Sequence, residues 1–227
     1  IVSANLDEFF MVNVGALKQA GDDERQEGAL EAIALRTRGL AARQQRLLAG
    51  CLAELAGAGV RLRRWADLAA PARAALETRF RREIFPLITP RAITVSPGFP
   101  VAVMPQLSLL VAVLLQDSET GPSHVAYLRI PDRLPRFLPV EGSDDRVPIE
   151  EVVRANLDAL YSRRQVEGAW LFRLTRAADL ELDEEESGNL LQAIEESVQR
   201  RARNPVVRVE LERAMPKAVR ERLLWEL

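Results

Sequence analysis

This sequence predicts a mainly helical N-terminal hairpin or bundle, followed by an α+β head domain with a small, mostly antiparallel sheet. Three patterns lead there. An apolar opening segment and a long amphipathic stripe occupy the chain as far as Leu55. Glycines then punctuate it at Gly57-Ala58-Gly59. Beyond them, short aliphatic runs interleave with helical stretches, without the strict alternation of a parallel α/β fold. The boundary is placed near Gly59, giving an N-terminal unit over 1–59, incomplete at its start, and a head over 60–227.

The opening reads Ser3-Ala4-Asn5-Leu6-Asp7-Glu8-Phe9-Phe10 and runs on to Leu17. As a helix it places Leu6, Phe9, Phe10 and Leu17 on one stripe, with Met11 and Val12 on the other side. A helix apolar nearly all round needs protein on more than one face. Asn5, three residues ahead of Glu8, suits a capping pair at its start. Gly21-Asp22-Asp23 supplies a turn. A long helix then extends from about Glu24 to Leu55 as the second arm of the hairpin. Leu30, Ile33, Ala34, Thr37, Ala41, Gln44, Leu48, Cys51, Leu52 and Leu55 form its apolar side. Glycine just past the end suits a left-handed cap.

Val60 to Trp65 reads as an extended link, and Pro71 opens a helix to about Phe85, where its missing N–H costs least. Five prolines between Pro86 and Pro105 exclude long helices, predicting a loop over 86–106. Leu107 to Leu115 is a buried strand, turned at 117–122 into an antiparallel partner over 125–130. Phe137 to Val140 is a short edge strand. Pro148 starts a helix to about Tyr161, a strand covers 169–175, and a helix covers 184–203. A strand over 206–212 and a helix opened by Pro216 complete the order.

Composition limits the function. The chain has 227 residues, 48% hydrophobic and 28% charged, an ordinary globular mixture. Its net charge of -2 argues against a general nucleic-acid binder. A lone cysteine, Cys51, excludes an internal disulfide and fits a reducing cytoplasm. No apolar run approaches the ~20 residues of a transmembrane helix. The expected location is cytoplasmic, with peripheral membrane association left open. Beginning at Ile1 and stopping in a helical pattern at Leu223–Leu227, the chain reads as a piece of a longer protein. No phosphate-binding glycine loop, metal-ligand spacing or serine nucleophile motif is present, so no complete active site is expected.

The opening motif, with Leu17-Lys18 after it, resembles the N-terminal signature of the type 1 polyphosphate kinases. Phe85-Pro86-Leu87-Ile88-Thr89-Pro90, Leu134-Pro135-Arg136-Phe137, Phe172-Arg173-Leu174-Thr175-Arg176 and Arg213-Ala214-Met215-Pro216 resemble that family's head domain, in its order. The resemblance implies reversible transfer of the terminal phosphate of ATP to inorganic polyphosphate through a phosphohistidine. ATP and Mg²⁺ would be used by the intact enzyme and neither bound by this piece alone. The reactive histidine would belong to C-terminal catalytic domains outside these residues. The head would make dimer or higher-oligomer contacts, and the isolated 227 residues would be inactive.

The resemblance also assigns Asn5 to the nucleotide, near its base; an amide carries the donors and acceptor that suit an adenine edge. Asp7 and Glu8 are adjacent and do not share a helix face, so they read as first-turn acids favoured by the helix dipole rather than as metal ligands. Arg61, Arg63 and Arg64, with Arg79, Arg81 and Arg82, lie near the boundary and are the better candidates for anionic contacts. Arg200, Arg201 and Arg203 complement a helix C-terminus. Asn13 and Ala177 depart from the family, which commonly has arginine and aspartate there. His124 and Cys51 read as structural. The rival reading is a freestanding, non-catalytic interaction or anionic-ligand-binding module, disfavoured by the near-neutral charge.

Overall fold

A strand that is apolar on both faces has to lie inside a sheet covered on both sides. A computed structural model describes the protein at residues 2–19, 24–89, 91–92, 104–116, 123–178, 204–225 and 227. The aliphatic run forms β2 (Leu110–Gln116), the central strand of a sheet. Its antiparallel neighbours are β3 (Ser123–Arg129) and β6 (Gln165–Arg176). With β1 (Arg91–Ala92) and β7 (Val206–Leu211) the order is β1-β3-β2-β6-β7, antiparallel throughout.

Alternation along β2 builds two cores. Val111, Val113 and Leu115 pack with Leu76 of α4 (Ala70–Arg79) and with Phe80 and Ile84 of the π-helical turn that continues it (Phe80–Ile84). Ile149, Val152 and Val153 of α5 (Ile149–Ala155) and Leu157 of α6 (Leu157–Leu160) complete that layer. Leu110 and Ala112 point the other way, onto Val219 and Leu223 of α7 (Lys217–Trp225). The period of two thus divides one strand between two helical layers.

A second sheet pairs β4 (Phe137–Pro139) with β5 (Arg146–Pro148). The link after the N-terminal unit adds to it as a parallel neighbour, with Leu62 bridged to Arg146. The Arg63 N–H donates to the Arg146 carbonyl (2.7 Å) and the Arg146 N–H to that of Arg61 (2.8 Å). Asp145, buried, accepts from the Arg61 N–H (3.0 Å) and from Arg63 Nε (2.6 Å). Trp65 N–H donates to Glu151 (2.9 Å). The extended link is therefore fastened to the head along its length.

The N-terminal unit comprises α1 (Val2–Phe9), a π-helical turn (Phe10–Val14), α2 (Gly15–Gln19) and α3 (Glu24–Gly57). Phe10 and Val14 are buried with Ala177 and Val207, and Leu30 and Ile33 of α3 pack on that cluster. Farther along α3 the predicted stripe lacks cover among the described residues, leaving Leu48 and Leu55 exposed. Gly59, at φ 91°, takes the left-handed conformation that only glycine adopts cheaply.

Several boundaries move. The predicted strand at 107 starts at Leu110, because Leu107 adopts φ 56° and sends its N–H to the Leu174 carbonyl (2.8 Å). The loop predicted over 86–106 contains β1, an edge strand paired with Tyr127 and Ala126. Phe137–Pro139 pairs with β5 in a separate sheet, not on the edge of the large one. The helix after Pro148 breaks at Asn156, whose side-chain N–H caps the Val152 carbonyl (2.9 Å). The turns at 21–23 and 117–122 and the helix over 184–203 lie outside the described residues.

Phe80 is fully enclosed, so Phe80→Ala is expected to cost about 3–5 kcal/mol in urea unfolding. Trp225 is exposed, and Trp225→Ala should stay within about 0.5 kcal/mol.

Candidate functional site

Helix α1 begins at Val2, upstream of the predicted start. Asn5 is therefore an interior helical residue and not the N-cap that the spacing to Glu8 suggests. Its side chain is exposed and has no hydrogen-bond partner among the described residues. Asparagine is a weak helix former, so local structure gives no return for its presence here.

Asp7 corrects a second expectation. The first turn of α1 holds no acid, and Asp7 does not serve the helix dipole. It is 7% exposed, and its carboxylate sits between two guanidiniums of the sheet. Arg173 on β6 grips both carboxylate oxygens, with Nη1 at 3.0 Å from Oδ1. Arg208 on β7 donates to Oδ1 at 3.2 Å. Glu210 balances the pair, accepting from Arg173 (2.7 Å) and Arg208 (2.8 Å). Burial disfavours the Arg173 charge, but Asp7 and Glu210 more than offset this and raise its pKa. The Arg208 guanidinium also lies over the Phe10 ring, 5.2 Å from its centroid.

The π-helical turn alters the hydrogen bonding next to this clasp. The Met11 carbonyl accepts the Ala178 N–H at 2.8 Å, joining the helix to the chain leaving β6. Gly15 makes the approach feasible, since a Cβ there would lie 2.9 Å from that of Ala177. Lys18 Nζ donates to the Val206 carbonyl at 3.4 Å. Of the two departures from the family pattern, Ala177 is buried in this joint and Asn13 is exposed beside it in sequence. Phe9 and Val12 remain 37% and 39% exposed, so one face of the opening helix is still bare.

The boundary arginines divide. Arg63 pairs with Asp145, while Arg79 and Arg82 pair with Glu83. The Arg82 and Arg79 hydrogen bonds hold the Glu83 carboxyl below its usual range, and the Arg63 hydrogen bond does the same for Asp145. Arg61, Arg64 and Arg81 are exposed, with no acid hydrogen-bonded to their guanidiniums among the described residues. Arg200, Arg201 and Arg203 lie outside those residues. His124 is half-buried on β3 opposite Leu115, and Cys51 is exposed on α3 rather than buried in a core stripe. A cavity of about 520 Å³, lined in part by Leu87, Tyr127 and Arg129, contains none of the predicted site residues.

Among the described residues no group of three His, Cys, Asp or Glu side chains is placed to hold a metal, and no helix is long and apolar enough to cross a membrane. Mg²⁺, which the family implies, finds no donor set at the opening motif. Asp7 is occupied by two guanidiniums, and Glu8 stands exposed one position on.

Sequence reasoning missed the clasp although its parts were visible. Arg173 and Glu210 are directly opposed in the β6–β7 register, as are Thr175 and Arg208. A charge-pairing rule applied across the two predicted strands would have found the first pair.

The geometry first defines a class: a helical unit clasped by paired charges and a shared backbone hydrogen bond onto the edge of an α+β sheet domain. Comparison with known proteins supplies the particular family. Residues 72–227 match the polyphosphate kinase middle domain and residues 1–63 the polyphosphate kinase N-terminal domain. The chain belongs to the polyphosphate kinase family. Polyphosphate kinase of Streptomyces coelicolor is 40% identical across all of this chain, and that of Thermosynechococcus vestitus is 36% identical. Those alignments cover 31% and 33% of the two relatives, so the chain spans about a third of their length. The crystal structure of polyphosphate kinase from Porphyromonas gingivalis superposes with a TM-score of 0.73 at 26% identity, covering 97% of this chain and 31% of the other.

Three variants probe the joint, the long helix and the link. Gly15→Ala should destabilise by about 1–3 kcal/mol in urea unfolding through overpacking. Gly28→Ala, in open space on α3, should stabilise by about 0.5–1 kcal/mol. Asp145 has a depressed folded-state pKa. Its stabilisation is therefore complete above the unfolded value of about 3.9 and lost as pH falls through the lower folded one. Urea midpoints from neutral to strongly acid pH should fall further in the parent than in Asp145→Asn, which keeps only the acid loss from other depressed carboxylates such as Glu83.

Proposed function

We propose that this chain is the N-terminal and head portion of an enzyme that reversibly transfers the terminal phosphate of ATP to inorganic polyphosphate through a phosphohistidine. The histidine would come from catalytic domains elsewhere in the full-length protein, and Mg²⁺ would offset phosphate charge there. This portion would position the nucleotide through Asn5 and support assembly into a homodimer or larger oligomer through its head.

One observation carries the nucleotide role: Asn5 is an exposed amide, without a partner among the described residues, inside a helix fixed to the sheet on its opposite side. Such an amide offers a nucleobase two donors and an acceptor. Arg61, Arg64 and Arg81 are the boundary guanidiniums left available to an anion, because Arg63, Arg79 and Arg82 are engaged by acids.

In the full-length enzyme Asn5→Ala should raise the KM for ATP about 5–10-fold, the loss of one or two hydrogen bonds. Unchanged affinity with intact folding removes Asn5 from the site. The purified 227 residues should consume no ATP above background; fragment-dependent turnover would refute the assignment of catalysis to other domains.

A further inference from the structure

We propose that Asp7, held by Arg173 and Arg208, is a positioning residue for the nucleotide contact made by Asn5, so that the head sets the geometry of the nucleotide site through this clasp. The inference rests on the nucleotide reading of Asn5 given above. Asn5 and Asp7 are two positions apart on α1, about 200° around the helix, which points them to opposite sides. The structure agrees: Asn5 is exposed, and Asp7 is buried against β6 and β7.

Helix α1 continues without a break through the π-helical turn into α2, and a π-helical turn is a place where a helix can bend, so the direction of its first turns depends on what grips them. Most of the anchors lie downstream: Phe10 and Val14 in the small core, Met11 bonded to Ala178, and Gly15 against Ala177. Those contacts dock the unit, and in the first two turns the described side chains that pack inward are Asp7 and the partly buried Leu6. A carboxylate fixed by guanidiniums from two different strands resists both sliding and rotation of those turns, because each direction of motion breaks a charge-assisted hydrogen bond. Removing that carboxylate should loosen the turns that carry Asn5 while the downstream anchors keep the unit docked.

The two arginines are not spare phosphate ligands in this arrangement. Each is already shared between Asp7 and Glu210. A role in binding phosphate directly predicts that freeing them strengthens ATP binding. A role in positioning predicts that freeing them weakens it.

The test is a double-mutant cycle in the full-length enzyme, reading KM for ATP, KM for polyphosphate and kcat, with thermal unfolding of each variant as a check on folding. Asn5→Ala and Asp7→Asn should each raise the KM for ATP about 5–10-fold, and the double variant should be no worse than the poorer single one. The KM for polyphosphate and the kcat at saturating ATP should hold within about twofold, which general loss of structure would not produce. Arg208→Lys, which keeps a charge for Asp7, should retain most of the ATP affinity that Arg208→Ala loses, and this arm applies if Asp7→Asn does not fold. If Asn5→Ala leaves the KM for ATP unchanged, the nucleotide reading itself falls. If Asn5→Ala acts but Asp7→Asn is silent, lowers the KM or adds fully to Asn5→Ala, or if lysine at 208 rescues nothing, the positioning role alone is overturned.

Discussion

One buried carboxylate facing two guanidiniums organises the junction of this molecule. Taking Asp7 out of water is costly, and a single partner seldom compensates for that loss. Here Arg173 and Arg208 arrive from adjacent strands, and Glu210 supplies a second acid, so two positive and two negative groups share one patch. Removing one member leaves its partners desolvated and unbalanced. The arrangement demands a particular β6–β7 register and a particular rotation of α1, which makes it a device for specificity as much as for stability. The Phe10 ring beneath Arg208 ties the apolar part of the joint to the charged part.

Backbone geometry supports the same joint. The π-helical turn and the Met11–Ala178 hydrogen bond couple α1 to the end of β6, and Gly15 permits that approach. Leu107 holds an unfavourable left-handed conformation for a residue with a side chain. Its carbonyl lies 3.4 Å from Arg173 Nε, and its N–H pairs with Leu174 beside that arginine. Local strain and charge pairing meet at β6, where the helical unit is received.

The elements with strong periodicity were legible in the sequence. The long helix follows from apolar spacing at a period of 3.6, the central strand from a continuous aliphatic run, its hairpin partner from the turn residues between them, and the last helix from Pro216. What escaped depended on partners distant in sequence. β5 has three residues and is a strand only because β4 and the link lie beside it. Residues 91–92 pair with β3 in a stretch whose prolines argue for a loop. The opening motif could be found as a segment, but the role of each residue depended on where the helix began. Three residues of upstream helix turn Asn5 from a cap into an exposed interior amide. Asp7 changes from a dipole partner into a clasp for the same reason, since its partners lie more than 160 positions away.

The position of Asn5 is thus defined relative to the sheet rather than to the long helix that follows it. Among the described residues, Leu30 and Ile33 are the α3 side chains that reach the small core, and Leu35, Leu47, Leu48 and Leu55 are exposed. The other end of the N-terminal unit is fastened separately, where Asp145 and Glu151 take N–H groups from Arg61 and Trp65. The head thus grips the N-terminal unit at two separate places, one at the clasp of Asp7 and one along the link.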